Sequence, residues 1–405
     1  MLAWSWWLAI ALGATSALAL GCSSQDDPGG HAAAAAGTGG GGGSGPATKT
    51  LGLNDVTMLV PMPEALTTVL HRAVDPGDDG TELVPRALYD RLNDGPIPGE
   101  PVFGPIVGDI YEALQIFAIR FDLCDRLEPG TCPEGDGRLR LVFQALVDTQ
   151  PASAIDAAFH AFYTIPSGEL PSLVAELRAL SQIQNVDLAT SLRVNPALAE
   201  STTGEYATRL RKLVTRYAGT NSLTRLTFFA QPLQFGAVRW VFRGVEKQGD
   251  ALTDIVIVGI EETTQQAILV GDPGFEVLPV VDQPKGFALV VSQLDFDAAP
   301  AASQREALES LAAIDNPLVN TPETVQCASC HISTAVENER AAVSGIDPLA
   351  LSARYASPDY DLTVPPITER TLRALGWLGT TPLIAQRTAN ESAQVAIEMD
   401  TRFPP

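Results

Sequence analysis

Val238-Arg239-Trp240-Val241-Phe242-Arg243-Gly244-Val245 is dense in β-branched and aromatic residues, the composition of a pleated, half-buried strand. Outward from it, Leu226 to Phe229, Ile255 to Ile260, Ala267 to Val270 and Phe287 to Val291 are runs of the same kind, broken by Gln248-Gly249-Asp250 and Asp272-Pro273-Gly274. Turn-forming breaks between such runs predict an antiparallel sheet of about five or six strands across 220–298. Upstream, 51–219 carries apolar residues three and four apart in Ile110 to Ile119, Ala152 to Tyr163, Leu170 to Ile183 and Tyr206 to Tyr217. That spacing predicts a mainly helical domain, and Leu66 to Val74 reads the same way. Downstream, 299–405 returns to helix at Ser303 to Ile314, Thr368 to Leu378 and Asn390 to Ile397. The expected fold class is α+β: a helical N-terminal part, an antiparallel β part and a C-terminal helical segment.

Composition bounds the partners. The 405 residues are 45% hydrophobic and 18% charged, enough to bury a sizeable core. A formal charge of -22 with only 26 Lys+Arg argues against phosphate-backbone binding, so no nucleic-acid partner is expected, and any partner guided by charge is expected to be basic. No glycine-rich phosphate loop or serine-nucleophile turn is present, and the four histidines are too few for a relay. Asp75-Pro76-Gly77-Asp78-Asp79-Gly80 is an acidic turn, either a solvated loop or a calcium ligand set.

Met1 to Gly21 is an apolar stretch with Trp4, Trp6, Trp7, Leu8, Ile10, Leu12, Leu18 and Leu20, and it ends at Cys22. It reads as an export signal, 1–21. Ala19-Leu20-Gly21-Cys22 resembles a bacterial lipobox, with Ala19 where Leu is usual. The resemblance implies diacylglycerol on Cys22 and a lipid anchor in the cell envelope, facing the periplasm or the cell surface. An uncleaved helix and plain secretion are the alternatives. The following 22–50, with its Ala run and Gly39 to Gly43, cannot bury apolar surface and reads as a flexible tether.

Export puts the five cysteines in an oxidising compartment. Cys124 and Cys132 bracket a segment with Pro129-Gly130, which can turn and close a small disulfide loop; two free thiols are the alternative. Cys327-Ala328-Ser329-Cys330-His331 remains. On one helical turn, thiols three residues apart face the same way and can form thioethers with two haem vinyl groups, with the next histidine under the iron. With so few Cys and His, an accidental match is expected on the order of once in a thousand such sequences, so the motif is specific. A redox dithiol or a zinc site are the competing readings.

On an exported chain, Cys327 to His331 resembles the haem-attachment site of the c-type cytochromes, and 299–405 is the region the resemblance covers. It implies one haem c, bound covalently through Cys327 and Cys330 with His331 as proximal iron ligand, and one-electron exchange with an extracytoplasmic redox protein. Small members of the family supply a distal methionine, and Met399 is the sole Met after the motif. His71 and His160 are further candidates, against the alternative of inert histidines beside packing faces. Arg370, Arg373 and Arg387 are candidates for the haem propionates, and Trp377 for packing on the porphyrin. An electron carrier is favoured over an enzyme. The alternatives are a haem enzyme of peroxidase or gas-ligand type and a surface interaction lipoprotein with a structural haem.

Overall fold

Leu114-Gln115-Ile116-Phe117-Ala118-Ile119-Arg120-Phe121-Asp122 is a strand buried at every position. A strand buried on both faces reads as a continuous apolar run, in which helical and extended spacing cannot be told apart. The helix expected over Ile110 to Ile119 is therefore corrected to a strand, and so is Ala152 to Tyr163, where Ala157–Ile165 is buried at seven of nine positions. Both runs are rich in aromatic and β-branched residues, which favour the pleated conformation.

The computed structural model describes residues 51–94, 109–124, 128–147, 151–184, 187, 190–230, 238–249, 251–260, 262–271, 274–365 and 374–405. The expected signal 1–21, Cys22, the tether 22–50, Arg370 and Arg373 lie outside them. Among the described residues the strands are β1 (Thr57–Leu59), β2 (Leu114–Asp122), β3 (Gly137–Val147), β4 (Ser153–Ala154), β5 (Ala157–Ile165), β6 (Leu223–Ala230), β7 (Val238–Gln248), β8 (Ala251–Asp254), β9 (Gln265–Gly271), β10 (Gly274–Leu278), β11 (Leu375–Leu378) and β12 (Thr381–Ile384). The helices are α1 (Leu53–Val56), α2 (Arg86–Asn93), α3 (Leu170–Gln184), α4 (Pro196–Glu200), α5 (Glu205–Tyr217), α6 (Phe287–Val291), α7 (Gln293–Ala298), α8 (Ala301–Ile314), α9 (Cys327–Ser344) and α10 (Gln386–Arg402).

Ten strands make one antiparallel sheet in the order β1-β2-β3-β5-β6-β7-β9-β10, with β4 added to β3 and β8 to β7; β11 and β12 form a separate hairpin. The fold is α+β. Strands from 51–219 and from 220–298 thus share one sheet, and Thr48–Pro405 packs as one unit. α3, α5, α8 and α10 fall where the apolar spacing predicts helix. Three other expectations are corrected. Phe287 to Val291, expected as strand, is α6, entered through Gly286 in a left-handed conformation (φ 92°) that few other residues adopt. Ile255 to Ile260 and Leu66 to Val74 are loops, and the part of Thr368 to Leu378 that is described contains β11.

The register gives the sheet two unlike faces, because alternate residues of a strand point to opposite sides. On one face Ile119, Leu141, Ala161, Leu226 and Val245 lie in one row across five strands, all buried. α5 packs on β5, and α3 comes so close to β3 that a Cβ on Gly137 would meet Leu170 Cδ2 at 2.5 Å. On the other face Arg120, Arg140, Phe162, Arg225 and Glu246 form the parallel row, and Ala118, Val142, His160, Thr227 and Gly244 the next. α9 and α10 cover this polar face: Ala328 N of α9 donates to Gln266 Oε1 of β9 at 2.9 Å, and Ser392 Oγ of α10 donates to Thr57 Oγ1 at 2.7 Å. Among the described residues no helix is long and apolar enough to cross a membrane.

Candidate functional site

α9 begins at Cys327, and the first amides of a helix have no intrahelical acceptor. Here the sheet supplies one. Gln266, fully buried, accepts from Ala328 N and donates to Oε1 of the N-cap residue Gln326. Gln326 in turn donates to Val281 O at 2.7 Å. This pins the first turn of α9 against β9 and turns positions 327, 330 and 331 towards the polar face of the sheet. Cys327, Cys330 and His331 line one cleft of about 170 Å³, together with His160 and Phe162 of β5, Thr227 and Phe229 of β6, and Phe242 of β7. Ile255, Val256 and Ile257 form another part of its lining, and Val256 is 50% exposed there.

The His331 ring is held between two aromatic edges. Its centre lies 5.0 Å from that of Phe229 and 4.9 Å from that of Phe242, each inclined at 57°, the tilted geometry that aromatic quadrupoles favour. Across the cleft, the centre of the His160 ring is 6.3 Å from that of His331, with 38° between the planes.

Burial pushes both thiols up to about 11, Cys327 also feeling Cys330. At neutral pH they are thiols rather than thiolates, which disfavours the nucleophilic dithiol reading, since such cysteines have lowered pKa values. Among the described residues the only group of three or more potential ligand atoms within 4.8 Å of one another is Cys124, Cys132 and Glu398, and Cys124 and Cys132 are joined as a disulfide with their Cα atoms 5.5 Å apart. The motif residues are thus spread around a cleft, not gathered on a point as a tetrahedral zinc site requires.

The floor of the cleft is cationic. Arg120 pairs with Asp122 at 3.0 Å and with Glu391, and Arg387 reaches Glu391 at 2.8 Å. Burial alone would push the Glu391 carboxyl up, but Arg120, Arg387 and Arg140 reverse this and hold it well below the usual carboxylate range. Arg140 is the least well served of the three. Its nearest carboxylate contact is Glu391 at 4.0 Å, and its Nε finds no hydrogen-bond partner among the described residues. Burial and the neighbouring Arg120 push it down to about 10. A buried guanidinium short of partners costs free energy, and a ligand carboxylate in the cleft would satisfy it. Arg225, on the adjacent strand, is taken up by Glu246 and Glu323. Two thiols and an imidazole from one helical turn, an apolar and aromatic wall, and an underpaired cation are the kinds of group that a haem carrying propionates would use.

The other residues singled out from sequence lie elsewhere. Met399 is fully buried in the core on α10 and is not among the residues lining the cleft. His71 is engaged with Arg211 O at 3.4 Å and Asp75 at 3.9 Å. Trp377 donates from Nε1 to Val60 O at 2.9 Å. In the acidic turn, Asp79 accepts from Thr81 and Asp75 pairs with Arg72. Sequence reading missed Arg140, Arg225, Phe229, Phe242, Gln266 and Glu391. The signal was present in part: Arg138 and Arg140 in β3, and Arg120 and Asp122 in β2, are charges at alternate positions of apolar strands. That alternation becomes visible once the segments are read as extended.

The chain matches no protein-family model, no curated protein and no solved structure.

Proposed function

We propose that this chain is an extracytoplasmic c-type haem protein that transfers single electrons, tethered to a membrane by lipid on Cys22. The observation that carries the reading is that Cys327, Cys330 and His331 line one cleft with His160, four phenylalanines and an underpaired arginine. When bound, the haem supplies a one-electron ferric/ferrous couple, the electron arriving from one extracytoplasmic redox protein and leaving to another. Cys327 and Cys330 would hold the group by thioethers, each thiol adding across one vinyl group so that its hydrogen would be retained in the product. His331, held against Phe229 and Phe242, would offer its imidazole to the iron. Arg140 would receive a propionate, whereas Arg387 is already bonded to Glu391, Ile314 O and Asn320 O, and Phe162 with Ile255 to Ile257 would keep water from the macrocycle, which would tune the potential through burial. The acidic surface of the chain favours a basic partner.

The test is expression with the c-type maturation machinery, followed by acetone extraction and an absorption spectrum. The reading predicts an α-band that stays with the polypeptide and vanishes in the Cys327→Ala, Cys330→Ala double variant. A wild-type chain that yields all its haem to acetone, or none at all, would defeat it.

A further inference from the structure

We infer that His160 is the second axial ligand, so that His160 from the sheet and His331 from α9 hold one haem iron between them; this rests on the haem reading above. Metal–imidazole bonds run about 2.0 Å, and a five-membered ring with bonds of about 1.35 Å has its atoms about 1.15 Å from its centre. Two imidazoles on opposite sides of one ion therefore have centres about 6.3 Å apart, twice the sum of these lengths. The spacing of His160 and His331 is 6.3 Å. The same rings on a tetrahedral ion would lie about 5 Å apart, so the spacing suits opposed ligands with a macrocycle between them.

The position of His160 is set by the fold. It sits inside the sheet, opposite Val142 on one neighbouring strand and Thr227 on the other, so its backbone is clamped from both sides. Its side chain shares the face of Phe162, Arg140 and Arg225, the face that α9 covers. The cleft lining offers few rivals. Glu391 is taken by Arg120 and Arg387, and Glu323 by Arg225. Met399 and His71 are not part of the lining.

The test uses the haem-loaded full chain. Near-infrared magnetic circular dichroism of the ferric wild type is expected to show low-spin bis-imidazole ligation; a histidine–methionine or open-site signature overturns the inference while leaving covalent haem intact. His160→Gly is expected to turn the haem high-spin, with exogenous imidazole restoring the low-spin spectrum. His160→Met is expected to raise the midpoint potential, as methionine ligation does. His71→Ala and Met399→Leu are expected to leave the spectrum unchanged. A low-spin spectrum that survives His160→Gly, with haem still attached, overturns the assignment of His160. Loss of covalent haem in the wild type overturns the haem reading and the inference with it.

Discussion

Glu391 and Arg140 show how one buried charge can stabilise the fold while its neighbour does not. Arg120 is 5% exposed and bonded to both Glu391 and Asp122. Replacing it, as in Arg120→Met, leaves two buried carboxylates undercompensated, which is expected to cost about 3–5 kcal/mol in urea unfolding of the chain without haem. Arg140→Met removes a cation whose Nε has no partner among the described residues, and its cost is expected to stay within about 1 kcal/mol. Equal losses for the two variants would contradict the view that Arg140 is the spare charge of the cluster. At this scale the motif was legible in the sequence because its chemistry lies in five contiguous residues, Cys327 to His331. Arg140 and His160 were not, because what they face is decided by strand register with partners far away in the chain.

The element that decides the site is the first turn of α9. Its amide at Ala328 is capped by Gln266, whose side chain is fully buried. Gln266→Leu leaves that donor and Oε1 of Gln326 short of partners, and a cost of about 1–3 kcal/mol is expected, read by thermal or urea unfolding. An unchanged midpoint would show that the start of α9 is not held by β9. Further along α9, burial pushes Glu337 up to about 8, with Asp315 adding to the effect, while burial lifts Asp315 itself to about 6. Each carboxyl keeps its proton to a higher pH when folded than when unfolded. Their contribution is therefore fully present below the unfolded value of about 4 and is lost as pH rises, for Glu337 between 4.5 and about 8. The loss is at most about 1.4 kcal/mol per pH unit for each group. Glu337→Gln is expected to flatten the fall across that window; parallel wild-type and variant curves would rule the attribution out. Helices such as α3 and α5 were legible because they bury one side only. β2 and β5 were not, because burial on both faces erases the alternation that marks a strand.

Across the whole molecule, one sheet serves two purposes. The row Ile119, Leu141, Ala161, Leu226 and Val245 builds the core against α3 and α5, and on the opposite face Arg140, Phe162 and Arg225 line the cleft under α9 and α10. The α+β class could be read from changes of period along the chain. The single sheet could not, because pairing β5 with β6 joins stretches that differ in local pattern and are separated by three helices, α3, α4 and α5. The cleft is thus a joint product of the sheet and the C-terminal helices, and the proposed haem requires the thiols of α9 to carry it. The most direct test is the mass of the proteolytic peptide containing Cys327 to His331, from chain matured with the c-type machinery. The account predicts that peptide at its own mass plus one haem, with neither thiol open to alkylation. A peptide at its bare mass with both thiols alkylated, or joined only as a disulfide, would contradict it.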